Sequence, residues 1–427
     1  MVRAPKVESY WNRKVWHNRG WTFQERAVSR RSLVFTNETV YWQCKCNTWH
    51  ENRPAGPDGI LGTNLERRPV PSGASDDWPS YTLKIHPWPN LEQYFNLVRG
   101  FNGRRLGFES DARNAFTAIT SALSYTFKGG FLFGIPVFFF DIGLLWSRVG
   151  FPLKRREGFP SWSWLGWSGP TDLPLVITEV WHPLRDDSDN CVEVWPLSEW
   201  YTARDDGSSS ALIQNNHHKY TIIPFRPELP LTDGWTSISV EDNKYGESKK
   251  RDHKKYSHTK FPGKTFGHPF PVFPPLRDTE LLSSTLKFSS QSCILVLGKS
   301  SLALDAPEDR TTYLMTGLTD YRGLWAGVID SLFAEDSEYT HGQACEVIAI
   351  SRGRALRRTE NRKFNYHWQP FDEMRTHPET SQLAVYEFYN VLWIERNNGL
   401  AYRKAVGRIW APAWERQKLI DEDIILA

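Results

Sequence analysis

The chain is poor in the residues that mark several functional classes. Its 427 residues include only five cysteines, Cys44, Cys46, Cys191, Cys293 and Cys345, odd in number and scattered. That excludes a disulfide framework and fits reduced thiols in a cytoplasmic protein. Charge of one sign is also lacking: 52 Lys and Arg stand against 49 Asp and Glu, a net charge of +3. So weak a bias argues against nucleic acid and against an anionic membrane surface as partner. No apolar run is long enough to span a bilayer. The most apolar stretch, Phe131 to Trp146, is interrupted by Gly134, Pro136 and Asp141, and a spanning helix needs about 20 apolar residues. It reads as a buried element. No apolar segment follows the N-terminal Met-Val-Arg-Ala-Pro-Lys, so no secretory signal is expected. The sequon Asn37-Glu38-Thr39 therefore reads as a hairpin turn.

Aromatics are abundant, 14% of the chain with 20 Trp. Such a load points to large rigid side chains filling cores or an interface. Length and composition suit a globular protein of two or three domains.

Several elements are legible. Thr22-Phe-Gln-Glu25 has the spacing of a capping box and predicts a short helix. Ser32–Thr36 and Thr39–Cys44 predict a β-hairpin, and 52–80 a long Pro- and Gly-rich loop. Leu91, Tyr94, Phe95 and Val98 recur at helical spacing over 91–99. Asp111 is placed to cap a second helix with the stripe Ala112, Ala115, Phe116, Ile119, Ala122 and Leu123, ended by Gly129-Gly130. Pro136 is placed to start a third, all-round apolar helix to about Trp146.

Beyond Trp167 short strands follow, at Leu175–Val180 and Cys191–Trp195. Polar stretches at 203–218 and 241–260, the latter holding the basic run Lys249 to Lys255, read as solvated and disordered, and 261–277 as a Pro-rich connector. From Leu281 strands dominate: Ser292–Leu297, Trp325–Ile329, Ala344–Ile350, then Tyr389–Glu395 and Leu400–Arg403 about the hairpin signal Asn397-Asn398-Gly399. A helix over Pro412–Leu419 seats Trp414.

Most chemical motifs fail on spacing. Leu297-Gly298-Lys299-Ser300 ends like a phosphate loop, but Cys293 stands where the first Gly belongs. His50-Glu51 begins a zinc-protease motif, but Pro54 replaces the second His. Cys44, Cys46, His50 and His17 lack the paired spacing of a zinc site, so no metal is expected. No Gly-x-Ser-x-Gly elbow occurs. The cluster Ser161-Trp162-Ser163-Trp164-Leu165-Gly166-Trp167 reads as a strand with Trp162 and Trp164 on one face. That face suits a core strand, a stacking platform for a sugar or base, or a partner anchor.

Three groups of residues together resemble fungal heterokaryon-incompatibility (HET-domain) proteins. The first is Arg19-Gly20-Trp21-Thr22-Phe23-Gln24-Glu25-Arg26 with Ser29-Arg30-Arg31 and Thr39–Cys44, similar to the segment that closes the HET domain. The second is Asp111–Phe116, Phe133–Pro136, Leu144–Trp146 and Arg155-Arg156 with Phe159–Trp164, similar to the region that follows. The third is Tyr389–Glu395 with Ala401–Arg403, Gly407-Arg408 and Trp414, similar to the C-terminal end of such proteins. The family's upstream strand–helix units have no counterpart, so the resemblance implies a truncated form or a remnant.

The resemblance implies a role in non-self recognition after hyphal fusion, ending in cell death. It also implies a domain like the TIR fold, some members of which cleave NAD. The catalytic Glu of those enzymes has no matching position, so no catalytic residue is carried over; Glu25 and Glu51 are acidic candidates only because they lie in the HET-like stretch.

The expected fold is α+β: a helix–hairpin remnant over 1–50, a helical block over 81–170 ending in the Ser-Trp-Ser-Trp strand, and a mostly antiparallel β domain over 171–427 with a mobile insertion at about 203–280. The expected function is a non-catalytic interaction or regulatory module with another protein as partner, cytoplasmic, and without cofactor, nucleic acid or membrane. The alternatives are a TIR-like NAD-cleaving or other hydrolytic enzyme, and a ligand-binding module using the Trp162/Trp164 face.

Overall fold

The computed structural model describes residues 18–35, 40–44, 48–51, 83–148, 153–173, 192–202, 211–219, 231, 234–241, 252–267, 269–270, 272, 284–303, 314–331, 341–356, 379–380 and 383–427. The fold is α+β and its main sheet is antiparallel. A helix over Gly20–Val28 leads into β1 (Arg31–Phe35), β2 (Val40–Cys44) and β3 (Thr48–His50), a small antiparallel sheet with β2 in the middle. The two strands of the expected hairpin pair antiparallel, with Leu33 opposite Trp42, while its turn at 36–39, with the sequon Asn37-Glu38-Thr39, lies outside the described residues. The helix starts two residues before Thr22, whose hydroxyl donates to the Arg19 carbonyl at 2.9 Å. The capping-box reading of Thr22 and Glu25 is thus corrected: Thr22 already lies inside the first turn.

The helix Leu91–Asn102 forms as its spacing predicts, and Asn90 Oδ1 caps it by accepting from the Gln93 N–H at 2.9 Å. The next expected helix is broken into two 3-10 turns, Glu109–Ala112 and Asn114–Phe116, before a short α-helix at Thr117–Leu123. Its apolar stripe is buried except at half-buried Ala122.

The apolar run from Phe131 to Trp146 departs most from expectation. A tight turn at Phe133 and Gly134, with φ of 45° and 78°, joins β4 (Phe131–Leu132) to β5 (Ile135–Pro136). A 3-10 turn and a four-residue helix, Phe140–Gly143, follow. The left-handed backbone at Gly134 breaks the helix. A Cβ there would stand 2.7 Å from the Trp164 ring. Then come β6 (Ser147–Arg148), β7 (Lys154–Arg155), β8 (Trp167–Ser168) and β9 (Thr171–Asp172), which pair as β6–β9 and β7–β8.

The Ser-Trp-Ser-Trp segment is not a strand. Ser163 Oγ accepts from the Leu165 N–H at 2.9 Å and turns the chain into a 3-10 helix at Trp164–Gly166.

The remaining strands are β10 (Val192–Pro196), β11 (Tyr201–Thr202), β12 (Ala211–Leu212), β13 (Trp235–Glu241), β14 (Asp252–His258), β15 (Leu286–Ala303), β16 (Leu314–Thr319), β17 (Trp325–Ser331), β18 (Ala344–Leu356), β19 (Val385–Asn397), β20 (Leu400–Trp410) and β21 (Ile420–Leu426). Within 203–280, the residues from Asp252 onward form β14 rather than a disordered polar loop. The β13–β14 hairpin is anchored by a small aromatic core of Trp88, Trp235, Tyr256, Phe266 and Phe270. Leu175–Val180 and Lys249–Arg251 lie outside the described residues.

Strands β15, β16, β17, β20, β19 and β18 close into a six-stranded antiparallel barrel. The ring closes on β15, where Val296 pairs with Thr319 of β16 and with Ala344 of β18. Alternate side chains fill its interior, as a barrel this small demands: Leu295, Val347, Val391, Trp393, Ala405 and Ile409. The helix Ala411–Glu415, with Pro412 in its first turn, plugs one end with Trp414, stacked on Tyr389 at 5.5 Å. The β19–β20 turn, Asn398-Gly399, takes positive φ at both positions, as a two-residue hairpin requires.

The opposite set of side chains points outward. Ile348, Ile350, Leu392, Ile394 and Val406 join one apolar core with Phe95, Phe116, Phe139, Trp146 and Trp164. The helical block is therefore packed on the outer wall made by β18, β19 and β20. Among the described residues no helix is long and apolar enough to cross a membrane.

Candidate functional site

The residues of the first HET-like motif serve packing and capping. Gly20 donates its N–H to the Arg105 carbonyl at 2.8 Å and starts the first helix. Gln24 reaches across to the Thr117–Leu123 helix, where its Oε1 accepts from the Ala118 N–H at 2.7 Å. Phe116 occupies the cap position of that helix and has no side-chain acceptor, so Gln24 supplies one from a distant element. Thr22 is buried, Arg26 half-buried, and Arg19, Trp21 and Glu25 are exposed. Glu51 accepts from the Val40 N–H at 3.1 Å and ties down the end of the small sheet. Neither Glu25 nor Glu51 is paired with a basic side chain among the described residues.

The tryptophans named as a possible platform are buried. Trp162 and Trp164 are 0% exposed and Trp167 3%. Each indole N–H has a carbonyl partner: Ser284 for Trp162 at 3.0 Å, Gly134 for Trp164 at 2.9 Å, and Ser161 for Trp167 at 2.8 Å. Trp162 meets Phe133 and Phe140, whereas Trp164 meets Phe101 and Phe116. They do not share a face, because the 3-10 turn rotates one away from the other. A stacking platform needs an open ring face, so the Trp162/Trp164 ligand reading is set aside.

The arginines of the second and third motifs are internal braces. Arg156 is 1% exposed and holds Glu109 at 2.6 Å, Asn102 Oδ1 at 2.6 Å and the Trp167 carbonyl at 2.6 Å. Arg403, on β20, is also 1% exposed. It donates to the Leu144 carbonyl at 2.7 Å and to the Trp146 carbonyl, and its guanidinium lies 3.9 Å from the Trp146 ring centre. Burial depresses it to about 9, still charged at neutral pH. Asp330, on β17, answers this charge and bonds Arg148 at 3.3 Å. Burial pushes the Asp330 carboxyl up to about 7, and the Arg148 guanidinium pulls it back.

Two constellations were not legible in the sequence. Asp141 and His217 meet at 2.7 Å, both buried. Burial raises the Asp141 carboxyl, but the His217 ring beside it more than offsets this and leaves Asp141 below its ordinary range. Phe139 stacks on His217, and Asn215 accepts from the Phe140 N–H at 3.0 Å. A carboxylate–imidazole pair supplies two of the three members of a nucleophile-activating triad, but here it is sealed inside and latches 215–217 to the Phe140–Gly143 helix. Its one signal in sequence was a lone Asp within an apolar run.

The second constellation is an open cleft of about 610 Å³ where β18 and β21 diverge along β15. It is lined by Ser198, Ser290, Ala349, Tyr389, Glu422 and Asp423, among others. Ser289 donates to Asp423 and Ser292 to Glu422, while Arg396 pairs with Glu422 at 2.7 Å. These hydroxyls face carboxylates, and among the described residues no imidazole lines the cleft to activate one as a nucleophile. Among the described residues no cluster of His, Cys, Asp or Glu could hold a metal ion. Cys46 and His17 lie outside those residues.

Comparisons of the chain with protein-family models, with curated proteins and with solved structures find no match.

Proposed function

We propose that the chain is a non-catalytic interaction or regulatory portion of a HET-type fungal incompatibility protein, acting in the cytoplasm with another protein as partner. One observation supports this reading above others. The described side chains of the HET-like motifs are spent on joining elements: Gln24 caps a distant helix, Arg156 and Arg403 brace the helical block, and Trp162, Trp164 and Trp414 fill cores. An acid–base enzyme needs titratable groups converging on a space a substrate can reach. The one His–carboxylate pair described above is enclosed, and Glu422 and Asp423 of the open cleft are engaged by Arg396 and by serine hydroxyls, with no imidazole beside them among the described residues.

Expressing the chain in a fungal cell and scoring viability tests the reading. A regulatory module leaves growth intact when expressed alone. Growth arrest caused by this chain by itself, or release of nicotinamide when the purified protein is incubated with NAD, would refute it.

A further inference from the structure

Strand β1 is an edge strand among the described residues. It lies at the margin of the sheet β1–β2–β3 and pairs only with β2 among the described residues. Its outward face is apolar: Leu33 is 53% exposed and Phe35 71%, and Trp42, opposite Leu33 on β2, is 40% exposed. An edge strand is ordinarily blunted by inward charges, proline or a bulge. Within Arg31–Phe35 none of these is present: the register with β2 is unbroken, and the strand's one charge, Arg31, stands at its first position. Edge peptide groups with no strand partner among the described residues, beside exposed Leu and Phe, are a template for another strand.

We infer that β1 pairs edge to edge with β1 of a second copy of the chain, forming a two-fold six-stranded sheet. The strand is self-complementary in the antiparallel sense. Centred on Leu33, the register sets Leu33 against its own counterpart and Ser32 against Val34. Arg31 of each copy then lies opposite Phe35 of the other, a cation facing an aromatic ring. The two Arg31 side chains end up four residues apart along the strand, about 13 Å, beyond the screening length of about 8 Å at physiological salt. A parallel pairing would set Arg31 on Arg31. The antiparallel pairing is isologous, so it uses up both β1 edges and closes at a dimer, with only the three-residue β3 left at each margin. This inference stands apart from the HET-type reading, since it uses only the edge, its exposure and its charge pattern.

Sedimentation velocity of the full chain between about 1 and 100 µM, the range in which a small isologous interface populates, tests it. The expected result is a sedimentation coefficient that rises with concentration from monomer toward dimer. The double substitution Leu33→Lys with Phe35→Lys changes only exposed side chains and should hold the chain monomeric throughout, with an unchanged circular dichroism spectrum. Val34→Pro, which removes a backbone donor from the strand, should do the same by a different route. A wild-type chain that stays monomeric over the whole range overturns the inference. So does a dimer that persists in both variants, which would assign association to another surface.

Discussion

Replacing Arg403 by Met tests whether the helical block is held to the barrel by buried charge as well as by apolar packing. Arg403 is enclosed, and its guanidinium serves two main-chain carbonyls, those of Leu144 and Trp146, besides the Trp146 ring. Met fills much of the stem volume but donates nothing. Each carbonyl that loses its donor and stays buried costs about 1–3 kcal/mol. Removing one partner from a buried ionic group costs about 3–5 kcal/mol; here the upper end is softened, because Asp330, already pushed up to about 7, takes a proton when it loses one of its two cationic neighbours. These losses overlap, so we expect about 3–5 kcal/mol in all, a large part of the roughly 5–15 kcal/mol that holds a typical domain folded. Urea unfolding followed by tryptophan fluorescence reads it as a lowered midpoint. Arg403→Lys, a point charge without the planar fork, should recover less than half of the loss. If Arg403→Met unfolds within about 1 kcal/mol of the wild type, the brace is incidental and the blocks are joined by apolar contact alone.

Four further outcomes follow from the same geometry. The Asp330 carboxyl titrates near 7 in the folded chain against an ordinary 3.8. Between those values the folded state holds a proton that the unfolded state has released, so its contribution to stability falls as pH rises from about 4 to 7; Asp330→Asn should flatten that part of a stability–pH profile. Asp141 is depressed instead, so its contribution is present above its ordinary 3.8 and is lost as pH falls through the folded value. Asp141→Asn should therefore destabilise at neutral pH, and its difference from the wild type should shrink in acid. Gln24→Ala removes the acceptor for the Ala118 N–H and should cost about 0.5–2 kcal/mol, with faster hydrogen exchange at that amide. Gly134→Ala drives a Cβ to 2.7 Å from the Trp164 ring at φ +78° and should cost several times as much as Gly158→Ala. At Gly158 the backbone is equally left-handed but no atom lies within 4 Å, so that substitution should cost about 1–2 kcal/mol by thermal denaturation.

What the sequence disclosed was whatever depends on near neighbours. The helix was legible over 91–99 because its apolar spacing repeats within a few turns, whereas its cap Asn90 and last turn emerged from the structure; the Asn398-Gly399 hairpin was legible because two residues specify it. The run from 131 to 146 was misread because uniform apolarity carries no period; only Gly134, pressed against a ring 30 residues away, decides its path. The Trp162/Trp164 alternation imitated a strand because Ser163 can cap as readily as it can alternate. Strand β21 was missed because Asp421, Glu422 and Asp423 hide its two buried apolar positions, Ile424 and Leu426. Pairs such as Asp141 with His217, or Arg403 with Trp146, stand 76 and 257 positions apart, and no local pattern announces them. The HET-like motifs were visible as residues, but their part in bracing the structure emerged only from contacts.

The shared core on the outer barrel wall has a consequence for dissecting the chain. Phe95, Phe139 and Trp164 bury themselves against Ile348, Leu392 and Val406, so a chain severed after Leu173 yields two pieces, each with a raw apolar wound. Neither piece is a sound reagent for mapping a partner, since stickiness there would report the cut. Produced together they should knit back into one particle, and any binding assigned to half of this molecule has to survive that reunion.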